Sequence, residues 1–248
     1  MHYLDSRDRL VSAAEPLWVL SPKRIRAVFA GVTIVDSNTA YLFRGGGPPL
    51  YFFSKDEVRK DLIAATGRTA TDSRGMTALL DIRVGDHIAK EAVTEYVDTT
   101  EGLEFLKGMV SIRWGEMDGW FEENEEVFVH ARDPFKRIDI VRSDRHVEIV
   151  VGGAKIADTN RPVILIEPGH PIRYYLPKVD VRMDLLQPSE TLSHCPYKGE
   201  AKYYSLQLAK DTTKDAAWCY EYPVQEASKI AGLLCFFNDR VDAIHVEG

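Results

Sequence analysis

The 248-residue chain has only three cysteines, Cys195, Cys219 and Cys235, and none of them forms a CxxC pair. So sparse and odd a set argues against a disulfide framework and fits a reducing compartment, so a cytoplasmic protein is expected. No apolar run approaches the roughly 18 residues that a bilayer span needs. The opening residues Met1-His2-Tyr3-Leu4-Asp5-Ser6-Arg7-Asp8 carry charges where a signal peptide needs an apolar core. Positive charge is in deficit, with 31 Lys and Arg against 38 Asp and Glu and a net charge of −7. That balance argues against bulk binding to nucleic acid or anionic membranes, both of which depend on excess cations. The glycine-rich dinucleotide turn, the Walker lysine loop, the GxSxG elbow and HExxH are all missing, which removes the common nucleotide and hydrolase signatures. No cofactor is implied.

What the chain does have is repetition. Arg24-Ile25-Arg26-Ala27-Val28-Phe29 alternates as a half-buried strand, Gly31 permits a tight turn, Val32–Val35 resumes the strand, and Asp36-Ser37-Asn38 closes it. The same order returns as Arg145–Val151, Gly153, Ile156-Ala157 and Asp158-Thr159-Asn160. Gly31 and Gly153 are 122 residues apart, as are Asn38 and Asn160 and then Pro49 and Pro171. The offset becomes 123 at Glu57-Val58-Arg59 against Asp180-Val181-Arg182, and 124 at Gly75 against Gly199, Tyr96 against Tyr220 and Gly108 against Gly232. A slow drift of this kind marks an internal duplication with two short insertions. The expected layout is an N-terminal arm at 1–22, a first β repeat at 23–121, a linker at 122–144 and a second β repeat at 145–248.

Each unit reads as mainly β, giving two similar compact β domains. Short apolar strands such as Tyr41–Phe43 and Val163–Ile166 are separated by Gly- and Pro-rich turns. One helix is expected in each, over Thr99–Gly108 and Pro223–Gly232, from the capping residue or Pro at the start and Gly at the stop. Glu122-Glu123-Asn124-Glu125-Glu126 reads as the solvated start of the linker; a hard cation would want ligands spread around a turn-making glycine, so no metal is assigned.

The densest chemistry lies in Ser193–Tyr204, where Cys195, His194, Lys198, Lys202 and three tyrosines fall within twelve residues. A thiol beside Lys198 and His194 has the company that activates a nucleophile, although an unpaired cysteine is also a common inert core residue. His194, Cys195 and Cys219 would give zinc soft ligands, but a fourth is lacking. Lys198 before Gly199 suits an anion, since glycine lets a ligand approach the backbone. On Ile172–Leu176 the period of two puts Arg173 and Tyr175 on one face and Tyr174 on the other. Arg173 there fits a carboxylate or phosphate, or equally a salt bridge to Glu167. Trp218 and Tyr220 share a strand face and fit either an apolar pocket floor or ordinary core.

The two halves agree mainly at turn formers and apolar positions and differ at chemically capable ones. Aligned by these offsets, Arg161 faces Thr39, Glu167 faces Gly45, Arg173 faces Tyr51, Cys195 faces Thr71, Tyr203 faces Leu79 and Trp218 faces Thr94. The second half holds the more reactive or larger group each time, so the candidate site is assigned there and the first repeat is read as degenerate.

Several runs resemble the domain of unknown function 427 family: Arg173-Tyr174-Tyr175-Leu176-Pro177, Asp180-Val181-Arg182, Pro188-Ser189-Glu190-Thr191, Cys195-Pro196-Tyr197-Lys198-Gly199, and Trp218-Cys219-Tyr220 with Pro223. His130-Ala131-Arg132-Asp133-Pro134 resembles the join in tandem, two-copy members. The resemblance implies a compact, tent-like β domain with a few short helices and no established activity. Some members carry a nucleotidyltransferase label, but the Gly-Ser and paired-Asp signature for two-metal phosphoryl transfer is not apparent. The leading expectation is that Arg161, Arg173, Tyr174, Lys198, Tyr203, Trp218 and Tyr220 bind a small anionic molecule, with Cys195 and Glu167 as the catalytic pair if there is turnover. The rival is a non-catalytic module whose β units form an interaction surface or homodimer.

Overall fold

The computed structural model describes residues 17–45, 47–208 and 211–248. The chain divides into two compact units, the first ending at Asp133 and the second beginning at Pro134. In the first, the strands are β1 Leu17–Leu20, β2 Ile25–Phe29, β3 Val32–Ser37, β4 Tyr41–Arg44, β5 Leu50–Ser54, β6 Ile63–Asp72, β7 Gly75–Val84, β8 His87–Thr99, β9 Met109–Ile112, β10 Gly119–Glu122 and β11 Glu125–Glu126. The second continues with β12 Asp139–Arg142, β13 His146–Val151, β14 Ala154–Thr159, β15 Val163–Ile166, β16 Arg173–Leu176, β17 Leu186–Cys195, β18 Gly199–Gln207, β19 Thr212–Cys219, β20 Leu234–Phe236 and β21 Ala243–Glu247.

Among the described residues each unit has a seven-stranded sheet, ordered β1-β4-β5-β9-β8-β7-β6 in the first and β12-β15-β16-β20-β19-β18-β17 in the second. A smaller sheet accompanies each, β11-β10-β2-β3 and β14-β13-β21 respectively. The fold is mainly β and duplicated. The alternating pattern of β2 buries Ile25 and Ala27 completely, and β13 buries Val147 and Ile149 in the same way. Ala30 and Gly31 turn the first hairpin at φ 48° and 72°, and Gly152 and Gly153 turn its counterpart at 59° and 74°. An aromatic and aliphatic core, with Phe53, Ile82, Val93 and Trp120 in the first unit and Leu176, Leu206, Cys219 and Phe236 in the second, covers one face of each large sheet. A separate cluster lies on the opposite face, around Phe43, Phe52 and Tyr96 in the first unit and around Tyr175, Trp218 and Tyr220 in the second.

The register corrects several details of the alignment. Strand β1, read as part of an arm, pairs with β4, and β12, read as linker, pairs with β15 at the same offset. Tyr41 faces Phe52 whereas Val163 faces Tyr175, so the first insertion lies in the turn before β16. The counterpart of Arg173 is therefore Leu50, and that of Tyr174 is Tyr51. Asp72 faces Gly75 while Cys195 faces Gly199, so the second insertion is in the hairpin turn and Cys195 stands where the first repeat has Asp72, not Thr71. The two expected helices shrink to 3-10 turns, Glu104–Leu106 and Gln225–Ile230. Gly102 and Gly108 both take positive φ and bracket too few residues for an α-helical nucleus. Glu122 is not solvated. It is buried at the end of β10 and bonds Lys23, the Tyr51 hydroxyl (2.8 Å) and the Arg132 amide.

Candidate functional site

The stretch that carries the densest chemistry forms the tip of the β17–β18 hairpin. Cys195 ends β17, Pro196-Tyr197-Lys198 make the turn, and Gly199 opens β18 at φ 100°. Lys198 turns inward to a buried carboxylate, Nζ to Glu167 Oε2 at 2.6 Å. Lys136 Nζ meets the other oxygen, Oε1, at 2.6 Å, and His170 Nε2 lies 3.6 Å from the same atom. Burial pushes the Glu167 carboxyl up, but the two ammonium groups outweigh it and hold the group below the usual carboxylate range. Lys136 also stands over the Tyr197 ring, 5.4 Å from its centroid. No sequence signal marks Lys136, which lies in the stretch read as linker; only the fold brings it to Glu167.

Beside this charge cluster the sheet face is aromatic. Trp218 donates Nε1–H to the Tyr175 hydroxyl (3.2 Å) and its ring lies 4.4 Å from that of Phe237. Tyr203 stacks on Phe237 at 6.2 Å and shares a 2.7 Å hydrogen bond with Ser193 Oγ. Arg173 lies over both Trp218 (5.3 Å) and Phe237 (5.9 Å), and its Nη1 donates to Asn238 Oδ1 at 2.6 Å. It makes no ion pair with Glu167. Burial raises the Tyr220 hydroxyl well above its ordinary value, with the Cys195 thiol a further cause. Lys198, Glu167, Cys195, Tyr203, Trp218, Tyr220 and Arg173 thus line one face of one sheet.

Two expected members lie elsewhere. Tyr174 points to the opposite face, against the core between the sheets, as the period of two demands. Arg161 is exposed and forms a two-pronged pair with Asp180, Nε to Oδ2 and Nη2 to Oδ1 both at 2.9 Å. The zinc set is not assembled, because Cys219 lies in the core between the sheets, on the face opposite Trp218 and Tyr220. Among the described residues His146, Glu148 and Asp158 bring three ligand atoms within 4.8 Å, but Lys155 Nζ already bridges the two carboxylates. Of the three thiols Cys195 is half-buried while Cys219 and Cys235 are buried. Burial raises the pKa of both buried thiols.

A duplicated sheet unit with a polar hairpin tip beside an aromatic face is the class these features define. The family model described as a domain of unknown function (DUF427) matches residues 18–123 and again residues 139–247. The chain belongs to that family and carries two copies of its domain. No curated protein matches the chain. Among the described residues no helix is long and apolar enough to cross a membrane.

Proposed function

We propose that the second repeat binds a small molecule bearing a carboxylate or phosphate, at the hairpin tip where Lys136, Glu167 and Lys198 meet. The carrying observation is charge arithmetic at a nearly dry place: two ammonium groups share one carboxylate, and Lys198 and Glu167 are only 13% and 7% exposed. One positive charge is left in excess where water screens poorly, and an anion completes the balance. Trp218 and Tyr220 are buried behind this seat, and the half-buried Tyr197 ring under Lys136 offers the apolar surface beside it.

Glu167, held ionised by two lysines, is a poor proton acceptor and serves to position them. Cys195 is the accessible thiol beside this seat. The geometry therefore favours binding, with turnover depending on that thiol alone. Alkylation of the full chain by iodoacetamide, followed by peptide mapping, tests the reading. Cys195 is expected to react well before Cys219 and Cys235, inorganic phosphate or acetate to slow it, and Lys198→Met to remove the protection. Equal rates with and without either anion would sink the proposal.

A further inference from the structure

The first repeat, read from the sequence as the degenerate copy, holds an open cavity of about 280 Å³ on the face of its seven-stranded sheet. Strand register shows that this is the position the aromatic cluster occupies in the second repeat. Leu79 faces Thr94, and Thr94 faces Ser111; in the second repeat the same places are Tyr203, Trp218 and Cys235. Leu50 stands in the place of Arg173. Trp218 for Thr94 and Tyr203 for Leu79 are large gains in side-chain volume, and both pack against Phe237 on that face. The larger residues pack this place in the second copy, and the smaller ones line a cavity in the first.

We propose that the first repeat binds a small monocarboxylate with an apolar body in this cavity. Leu50 and Leu79 supply apolar wall. Arg74, Arg113 and Asp72 are its charged lining groups, and Arg113 also pairs with Glu116 at 3.4 Å. Asp72 accepts from Arg74 Nε (3.0 Å) and Nη2 (2.6 Å), so the guanidinium is held in place at the cavity wall beside the Tyr96 hydroxyl. Its plane also rests near the Phe43 and Tyr96 rings, 5.8 and 5.6 Å from their centroids. The Tyr96 hydroxyl donates to Asp72 at 3.2 Å, which braces the pair from beneath. An oriented guanidinium recognises a carboxylate. The Thr94 and Ser111 hydroxyls, which engage no other group among the described residues, add donors along the wall. The volume is at the lower end for small-molecule sites, roughly 300–1,000 Å³, which favours a compact acid over a nucleotide.

Saturation-transfer NMR on the full chain carrying Lys198→Met, which removes the anion seat proposed for the second repeat, tests this, with benzoate and hexanoate as probes and hexylamine as the cationic control. Both acids are expected to give signal and the amine none. Thr94→Trp, which installs the second repeat's own filler, should abolish the signal with the circular dichroism unchanged. Arg74→Met should weaken binding about tenfold, the loss of one charge-assisted hydrogen bond. If Thr94→Trp does not fold, Leu79→Tyr closes the same space from the neighbouring strand. No signal from either acid, equal signal from the amine, or signal that survives both fillers overturns the proposal.

Discussion

Glu167 carries more of the second repeat's stability than its single charge implies. Its carboxylate is 7% exposed and answers two lysines, so removing it leaves two ammonium groups close together without a counter-charge. Glu167→Gln is expected to cost about 3 kcal/mol in urea unfolding at neutral pH, the usual penalty for breaking one side of a buried pair. The sign of the pH dependence follows from the direction of its shift. The folded-state pKa is depressed below the ordinary 4.5, so the stabilisation is fully present above the unfolded value and is lost as pH falls through the folded one. The gap between native chain and variant should therefore be widest near pH 7 and close below about pH 4. A gap independent of pH would mean that shape, not charge, holds Glu167 in place. The sequence marks Glu167 as chemically capable by its contrast with Gly45. It gives no hint of Lys136, which lies 31 positions earlier and meets Glu167 only across folded chain.

At the scale of elements, the two hairpin tips differ by one residue and by how tightly their glycines are held. A Cβ on Gly75 would come within 2.2 Å of the Asp98 carbonyl oxygen, and φ there is 143°. On Gly199 the nearest atom would be 3.4 Å away at φ 100°. Gly75→Ala is expected to cost about 3 kcal/mol and Gly199→Ala about 1 kcal/mol, because the first adds a backbone collision to the conformational strain and the second adds strain alone. Denaturant titration of the two variants checks the order, and equal costs would contradict it. The strands themselves were largely legible, since period-two alternation and turn formers such as Gly31 and Asn38 reflect local backbone sterics. The insertions were not. Sliding one residue within a turn leaves composition almost unchanged, yet it moved the partner of Arg173 from Tyr51 to Leu50 and that of Cys195 from Thr71 to Asp72. Only the hydrogen-bonded ladder sets those partners.

On the whole-molecule scale, each unit has its own buried cores, and the division falls between Asp133 and Pro134. Asp133 is tied back to Arg44 at 2.8 Å in the first unit, and Lys136 to Glu167 in the second. Fragments 1–133 and 134–248 are expected to unfold cooperatively on their own. A second fragment beginning at 145, the boundary that the repeat suggests, would lack both β12 and Lys136. It is expected to melt several degrees lower, as loss of an edge strand and a buried ion pair requires. Equal melting of the two second-unit fragments would show that β12 contributes nothing.

The sequence by itself determined the duplication, the mainly β character and which residues share a strand face, because these follow from repeat spacing and from the two-residue period of an extended chain. Only the tertiary structure decided that the first copy holds a cavity on its sheet face. Trp218 and Tyr203 look like added chemistry when read one by one, and with Phe237 they become one packed cluster once strand register sets them side by side. Volume is a property of neighbours across strands, and those neighbours are far apart along the chain.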